Sequence, residues 1–292
     1  MPVRVAIVAH HSTPTNLALA ARSWSGHTAE LLTPQEALLK LGPGDLALVR
    51  LDVREDLGGV EDGLRSLDSL ADAGVVILNR PGAILRAHDK LLTARTLRHA
   101  GLSHPRTTLI EPGQDVPDLD YPAVVKPRFG SWGKEVALCE TRADLEDVLE
   151  RLTSRSWFKQ GGVLVQELIP PLGHDLRLVV AGGTIIGSAK RTAQPGEWRT
   201  NVALGASAVP MEPPPVASEL ALAAAAASGL DLVGVDLLPT GPGSFCVIEL
   251  NGAVDFRPVY SLPGRSVFDD AVAALAGGRD DADLETTIAA GA

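Results

Sequence analysis

Apolar and polar positions in the first third of the chain follow a pattern that predicts strands separated by helices. Short apolar runs at 3–9, 45–51 and 74–79 are typical of buried strands, and helical periodicity covers 15–23 and 60–73. Strands that alternate with helices favour a small parallel sheet with helices on its faces. The first strand is not followed by Gly-x-Gly-x-x-Gly, so the pattern does not indicate a dinucleotide site there.

The rest of the chain predicts more strands than helices. The predicted strands are 105–110, 123–126, 135–139, 163–168, 176–180, 184–188, 232–238 and 244–250. The predicted helices are 89–100, 142–152, an Ala-rich stretch after the Pro-rich turn 213–215, and 267–276. No internal repeat and no long linker interrupts them.

Composition narrows the classes of protein that fit this pattern. A content of 45% hydrophobic and 21% charged residues excludes disorder over most of the chain. The net charge of −10 argues against a broad nucleic-acid surface and against binding to anionic membranes. Cys139 and Cys246 lie far apart, which disfavours a disulfide framework and a cysteine-based zinc site, so we expect a cytoplasmic protein. The Ala-rich stretch 220–227 is too short to span a bilayer.

Lysine is rare in this chain, and most of the positively charged side chains are arginines. The lysines are Lys40, Lys90, Lys126, Lys134, Lys159 and Lys190. An ammonium and a guanidinium are not equivalent at phosphate sites. The positions that retain lysine are therefore candidates for phosphate binding.

The first candidate site is a lysine that ends an apolar strand and is followed by a glycine-containing loop. Lys126 follows two valines, and 128–134 reads Arg-Phe-Gly-Ser-Trp-Gly-Lys. Glycines let the backbone approach phosphate oxygens, and successive N–H groups form a cradle for anions. The spacing is not that of a Walker loop, so a hairpin turn with solvated charges remains the alternative.

The second candidate site is a set of carboxylates on two C-terminal strands. Asp236 lies inside an apolar run, and the two-residue period of the next strand places Glu249 and Asn251 on one face. A carboxylate in an apolar strand is costly unless it is paired or bound to a metal. Carboxylate and amide oxygens suit Mg²⁺ rather than zinc, and capping of the carboxylates by arginines is the alternative.

Three cations lie at or just beyond the ends of predicted strands: Arg177, Lys190 and Arg199. Any one of them is explained by surface solvation. Three together in an acidic protein favour a clamp on an anionic substrate or a phosphate. His174, beside Arg177, is more typical of a turn than of a catalytic base.

The order of these motifs resembles the ATP-grasp carboxylate–amine ligases, and within them the RimK and LysX branch of alpha-L-glutamate ligases. The motifs are Lys126 with its glycine loop, the hinge 165–169, Asp175-x-Arg177, Arg199-x-Asn201, Gly-Val-Asp236 and Glu249-x-Asn251. The likeness runs from about Asn79 to Ala276. It implies an α/β fold of ATP-grasp architecture with a small N-terminal parallel-sheet (pre-grasp) domain. The implied units are 1–85, 86–164 and 165–276, followed by a disordered tail at 277–292.

The resemblance also implies roles for individual residues. In the nucleotide site, Lys90 and Lys126 would contact ATP phosphates, and Gly130, Ser131, Trp132, Gly133 and Lys134 would close over the β- and γ-phosphates. Gln166, Glu167, Leu168 and Ile169 would line the adenine pocket, mainly through backbone groups, with Asp175 near the ribose. Arg177, Lys190, Arg199 and Asn201 would face the γ-phosphate and the acyl phosphate. Asp236, Glu249 and Asn251 would hold two Mg²⁺, with Mn²⁺ as an alternative.

The implied reaction joins a carboxylate to the amine of an amino acid, glutamate by family likeness, through an acyl phosphate with release of ADP and phosphate. The acceptor would be a small molecule or the C-terminus of a peptide or protein, and the enzyme a homo-oligomer. An ATP-binding regulatory protein of the same fold and a thioester-forming ligase are the alternatives.

Two segments depart from the family pattern on the acceptor side. Leu204-Gly205-Ala206 stands where relatives commonly have Arg-Gly-Gly, and 252–257 replaces the Ala-Ser-Pro-Gly of the ribosomal-protein branch. The arginine that relatives have at the position of Leu204 is therefore missing. Arg257 is the nearest candidate to replace it, with a solvated loop residue as the alternative.

Overall fold

The computed structural model describes residues 3–277, and its N-terminal part is a five-stranded sheet. The strands are β1 (Val5–Val8), β2 (Ser23–Trp24), β3 (His27–Leu32), β4 (Leu46–Val49) and β5 (Val76–Leu78). The helices are α1 (Pro14–Ala20), α2 (Pro34–Lys40) and α3 (Asp68–Asp72), the last preceded by a 3₁₀ turn at Arg65–Leu67. The order is β2-β3-β1-β4-β5, and all pairs are parallel except β2 with β3. The predicted parallel sheet is confirmed.

The sequence pattern missed β3 and α2, which lie between two predicted elements. Only Leu32 of β3 is fully buried, because β3 has only the two-residue strand β2 on its outer side, so no hydrophobic alternation marks it. The start of α2 does carry a signal: Thr33 and Glu36 form a capping box, and Pro34 occupies the first turn.

A four-stranded antiparallel sheet forms the middle of the molecule, in the order β6-β9-β7-β8 once the strands are numbered along the chain. The strands are β6 (Thr107–Ile110), β7 (Ala123–Pro127), β8 (Ala137–Cys139) and β9 (Val163–Glu167). The helices of this part are α4 (Pro81–His88), α5 (Lys90–His99), α6 (Arg142–Leu152) and α7 (Ser156–Gly161). Leu145, Trp157 and Phe158 pack against the sheet in one hydrophobic cluster. The sequence pattern did not predict α4 or α7.

The third sheet is also antiparallel and has five strands. They are β10 (His174–Ala181), β11 (Thr184–Thr192), β12 (Ser207–Pro210), β13 (Leu232–Gly241) and β14 (Ser244–Asn251), in the order β12-β11-β10-β13-β14. The remaining elements are α8 (Pro215–Ser228), α9 (Val267–Gly277) and 3₁₀ turns at Val202–Leu204 and Pro258–Tyr260. Helix α8 packs against one face of this sheet through buried alanines such as Ala221 and Ala224, whose small side chains allow close approach.

The predicted boundaries after residues 85 and 164 fall within α4 and β9, so the division into units stays a prediction. The predicted tail 277–292 lies outside the described residues from 278 onward. Within 3–277, no helix combines the length and apolar character needed to cross a membrane.

Asn79 joins the end of β5 to the third sheet. It is fully buried; its Oδ1 accepts from the N–H groups of Asp231 and Leu232 at 2.8 Å each, and its Nδ2 donates to Gly252 O at 3.0 Å. This clamp holds the carboxyl ends of the N-terminal strands opposite the end of β14. In open α/β sheets the carboxyl ends of the strands are where ligands bind.

Candidate active site

Two adjacent cavities lie where the N-terminal sheet, the glycine loop and the end of β14 meet. The central cavity has a volume of about 690 Å³ and is lined by Arg177, Glu249 and Asn251, among others. The N-terminal cavity has a volume of about 760 Å³, and Arg50 lies in its wall. Asp52, Ser131, Trp132 and Asp255 line both cavities. Both volumes are in the range of small-molecule sites.

Lys126 lies at the head of a buried chain of hydrogen bonds. Its Nζ donates to Gln166 Oε1 at 2.6 Å, and Gln166 Nε2 donates to Thr107 Oγ1 at 2.8 Å and to His104 Nε2 at 3.3 Å. Because an ammonium can only donate, Gln166 must present its oxygen to Lys126 and its nitrogen to the other two groups. Gln166 was expected to line the adenine pocket through backbone groups, whereas its side chain holds the lysine.

The same chain of hydrogen bonds shows which ring nitrogen of His104 carries the proton. Since His104 Nε2 accepts from Gln166, the ring proton is on Nδ1, which donates to Val247 O at 2.7 Å. Burial lowers the pKa of His104 to about 4, so the ring is neutral at physiological pH. Burial, together with the charge of Lys90, lowers the pKa of Lys126 to about 8.

Lys90 bridges the glycine loop and β14. Its Nζ donates to the carbonyl oxygen of Gly130 and lies 2.8 Å from Glu249 Oε1. Its position at the start of α5 is fixed by Asp89, the N-cap residue, which also accepts three hydrogen bonds of 2.6–2.9 Å from Arg128. Lys90, which the sequence predicts at a phosphate, is thus paired with one carboxylate of the predicted metal set.

The glycine loop reaches over both cavities. Trp132 and Gly133 have positive φ values of 67° and 74°, and Trp132 is exposed. A Cβ atom on Gly133 would lie 3.2 Å from Asn201 Oδ1, so glycine permits close approach of the two segments. Arg199 Nη1 also donates to Gly133 O at 3.3 Å. Ser131 and Trp132 line both cavities, whereas Lys134 lines the N-terminal cavity.

A buried network of charges lies on β10, β11 and β13. Arg177 binds Asp236 with two hydrogen bonds of 2.6 Å, and Arg191 binds Asp175 with Nε at 2.7 Å and lies 2.9 Å from Asp236. Thr200 Oγ1 donates to Asp175 at 2.5 Å. Burial opposes ionisation of Asp236, but the two arginines lower its pKa to about 2. Asp175, expected near a ribose, is held inside this network.

The predicted metal residues share one strand face. Asp236 pairs with Glu249 across β13 and β14, and Asn251 pairs with Gly234 two positions further. Within 3–277, Asn251 Nδ2 is buried without a hydrogen-bond partner, and no cluster of three or more His, Cys, Asp or Glu is placed to hold a metal. Two carboxylates and an amide fit Mg²⁺, which takes few protein ligands and completes its shell with phosphate oxygens and water.

Several predicted residues lie apart from the central cavity. Glu167 Oε2 accepts from Arg106 Nε at 2.8 Å, and Leu168 and Ile169 are half-buried just after β9. Lys190 pairs with Leu176 across β10 and β11, which places it on the opposite face from Arg177. It lines a separate hollow of about 610 Å³, so the structure does not bring it together with the other predicted catalytic residues.

Arg199 and Asn201 lie in the segment between β11 and β12. Arg199 binds Glu197 through Nη2 at 2.8 Å and Nε at 3.0 Å, and this contact lowers the pKa of Glu197 to about 2. Asn201 lines the central cavity, as does Arg257, the cation expected to replace the missing family arginine.

Sequence reasoning missed Arg191, His104 and Arg50. Arg191 had a signal, because strand alternation places it on the same face as Asp175 and Arg177. His104 and Arg50 had none, because their partners Val247 and Val254 lie 143 and 204 residues away.

Comparisons with known proteins identify the family of the chain. Residues 87–262 match the model of the RimK-like ATP-grasp domain. A probable alpha-L-glutamate ligase of Pseudomonas paraeruginosa is 36% identical over 200 residues, which are 66% of this chain and 65% of the relative. The match thus spans slightly less than two thirds of the relative's length.

Two solved structures share the fold. D-Alanine–D-alanine ligase from Bacillus anthracis, in complex with ATP, has a TM-score of 0.67 at 16% identity, covering 95% of this chain and 97% of that one. A RimK-domain ATP-grasp protein from Sphaerobacter thermophilus has a TM-score of 0.66 at 24% identity, covering 94% and 99%. At these identities the likeness establishes the α/β ATP-grasp architecture.

Proposed function

The chain belongs to the RimK-like ATP-grasp family, and from that premise we propose that it is an ATP-dependent ligase joining a carboxylate to the amine of an amino acid. The amino acid is glutamate, which the name of the relative supports. The observation that carries the proposal is the central cavity, which has Glu249, Asn251 and Arg177 on its walls and the glycine loop beside it.

ATP would lie with its phosphates near the ammonium groups of Lys126 and Lys90. The hydrogen bond to Gln166 fixes Lys126, and the N-cap at Asp89 fixes the start of the helix that carries Lys90. Both lysines are preorganised, so little reorganisation opposes their contact with phosphate oxygens. The glycine loop, whose Ser131 and Trp132 line the central cavity, would cover the phosphates and limit access of water to the reacting groups.

Glu249 and Asn251, together with Asp236, would hold Mg²⁺, which when bound offsets charge on the phosphate oxygens. Asp236 Oδ1 accepts one hydrogen bond from Arg177, and Asp236 Oδ2 accepts one from Arg177 and one from Arg191. Oδ1 therefore retains a lone pair that could bind a metal ion. Since Nε and Nη2 of Arg177 are held by Asp236, Nη1 is the edge that this arginine presents to an anionic substrate.

The reaction runs in two steps. A carboxylate oxygen of the acceptor attacks the γ-phosphorus, which forms an acyl phosphate and releases ADP. The amine nitrogen then attacks the acyl carbon, phosphate leaves, and the nitrogen loses a proton. The chain's residues position these groups in line and bind the developing negative charge, and no covalent enzyme intermediate is needed.

A product assay tests the proposal. The full chain is incubated with ATP, Mg²⁺, a panel of acidic acceptors and either L-glutamate or a thiol such as coenzyme A, and ADP and the coupled product are measured by mass spectrometry. Glutamate-dependent ADP release with an amide product is the expected result. ADP with a thioester product would instead support a thioester-forming ligase, and ATP binding without ADP release a regulatory protein.

A further inference from the structure

The N-terminal cavity lies at the carboxyl ends of β1 and β4, beside the central cavity. Arg50 follows β4 directly, and His10 and His11 follow shortly after β1; all three line the cavity. The wall that the N-terminal sheet gives to this cavity lies outside the family match, which begins at residue 87. Its position is that of ligand sites in open α/β sheets.

Arg50 brings an unused donor to this cavity. The side chain is almost completely buried; its Nε donates to Asn16 Oδ1 at 2.5 Å and its Nη2 to Val254 O at 2.7 Å. Within 3–277, the buried Nη1 has no hydrogen-bond partner. An unpaired buried donor of a charged group is costly, so such a group is expected to meet an acceptor that is not part of the chain. Burial lowers the pKa of Arg50 to about 10, which leaves it charged at neutral pH.

Five acids also line this cavity: Asp52, Glu55, Glu61, Asp62 and Asp255. Asp52 accepts from the N–H of Val53 at 2.7 Å, and Asp62 lies 3.6 Å from Arg54. Glu61 accepts from the N–H of Asp52 at 2.9 Å and lies 3.0 Å from His11 Nε2. Asp255 accepts from Thr13 Oγ1 at 3.0 Å, and its closest approach to Arg50 is 3.5 Å, through Nη2 rather than Nη1.

Two further cations line the same cavity. Arg54 is paired with Asp56 at 3.2 Å and lies 3.6 Å from Asp62, whereas Lys134, the last residue of the glycine loop, forms no ion pair with any residue in the described part of the chain. The wall of one cavity therefore holds a guanidinium whose buried Nη1 is unpaired and an exposed ammonium group. Together they suit a carboxylate.

We propose that the N-terminal cavity binds the amine-donor amino acid through a carboxylate held by Arg50 and Lys134. This inference rests on the proposed ligase function for the identity of its ligand. Ser131 and Trp132 form the border between the two cavities, so an amino acid anchored here presents its amine towards the central cavity, where the acyl phosphate would form. Lys134 thus acts on the amino acid rather than on the ATP phosphates.

Direct binding measurements test the inference without turnover. Calorimetry follows L-glutamate binding to the full chain saturated with Mg²⁺ and a non-hydrolysable ATP analogue. The variants are Lys134→Met and Arg50→Lys, and Lys159→Met is the matched control, an exposed lysine on α7. Lys134→Met is at an exposed position and should fold normally, whereas Arg50→Lys keeps the buried charge but loses the planar Nη1 edge.

Lys134→Met and Arg50→Lys should each weaken L-glutamate binding about tenfold or more, as expected for loss of a charge-assisted hydrogen bond, with unchanged affinity for the ATP analogue. Binding within twofold of wild type in Lys134→Met, a defect confined to the ATP analogue, or no L-glutamate binding to the wild type would each overturn the inference. A chain that binds L-glutamate through these residues but releases no ADP would uphold it and refute the ligase proposal. ADP release with L-glutamate, together with normal L-glutamate binding in both variants, would support the ligase proposal and refute the roles of Arg50 and Lys134 in binding the amino acid.

Discussion

Binding of ATP should weaken about tenfold when the pH is raised from 7 to 9, because Lys126 loses its proton in this range. Burial and the charge of Lys90 lower the pKa of Lys126 to about 8. At that value about nine tenths of the side chains are charged at pH 7 and about one tenth at pH 9. A bound phosphate favours the ammonium and raises its pKa.

The direction of the pH effect follows from the coupling between phosphate binding and protonation of Lys126. The pKa is higher in the complex than in the free protein, so affinity is highest below the free pKa and is lost as the pH rises through about 8. The loss over these two pH units approaches the change in the charged fraction, about tenfold, or about 1.4 kcal/mol. His104, whose pKa is about 4, stays neutral throughout and does not contribute.

Calorimetric titration with a non-hydrolysable ATP analogue at fixed free Mg²⁺ measures this dependence. Lys126→Met is the control, since it keeps every other titrating group, including those of the nucleotide. Its affinity at pH 7 should already be at or below the wild-type value at pH 9, and its change between pH 7 and 9 should be small. Equal pH dependence in wild type and Lys126→Met would refute the reasoning.

Three further substitutions test other parts of the site. Glu249→Gln should leave the fold intact and remove most Mg²⁺-dependent ADP formation; full activity at matched Mg²⁺ would contradict the metal assignment. Arg257→Ala should raise the Michaelis constant of the acceptor carboxylate with little change for ATP, as measured by varying each substrate in turn; a defect confined to ATP would exclude that role. Arg191→Met should lower the free energy of unfolding by about 3–5 kcal/mol in urea titrations, because it leaves Asp175 buried without its arginine; an unchanged midpoint would show that the network contributes little.

Local sequence signals were sufficient for the longer elements. Helix α6 has the predicted bounds, Arg142–Leu152, because Thr141 and Asp144 form a capping box and the buried residues recur with helical spacing. The predicted strands β13 and β14 were also found, with Asp236, Glu249 and Asn251 on one face. A continuous apolar run identified β13, and helical spacing together with a capping box identified α6.

Choosing between Lys190 and Arg191 required more than a motif. The two are adjacent on β11, so one must face the Arg177 side of the sheet and the other the opposite side. Lys190 was predicted as a cation near a strand end and through the family resemblance, whereas the strand register places Arg191 beside Asp175. Position near a strand end carries no information about which face a side chain is on, while the two-residue period, counted across to the partner strand, does.

The acceptor side could not be predicted, because it is built from contacts between distant parts of the chain. The segment 252–257, which replaces the pattern of the ribosomal-protein branch, is held by the N-terminal unit: Arg50 donates to Val254 O, and Thr15 Oγ1 accepts from the N–H of Phe256 at 3.1 Å. These pairs are separated by more than 200 residues. A change in this loop therefore alters both cavities at once. Both contacts are made to backbone groups of the loop, so its side chains can differ between ligases of this family while its position against the N-terminal unit is kept.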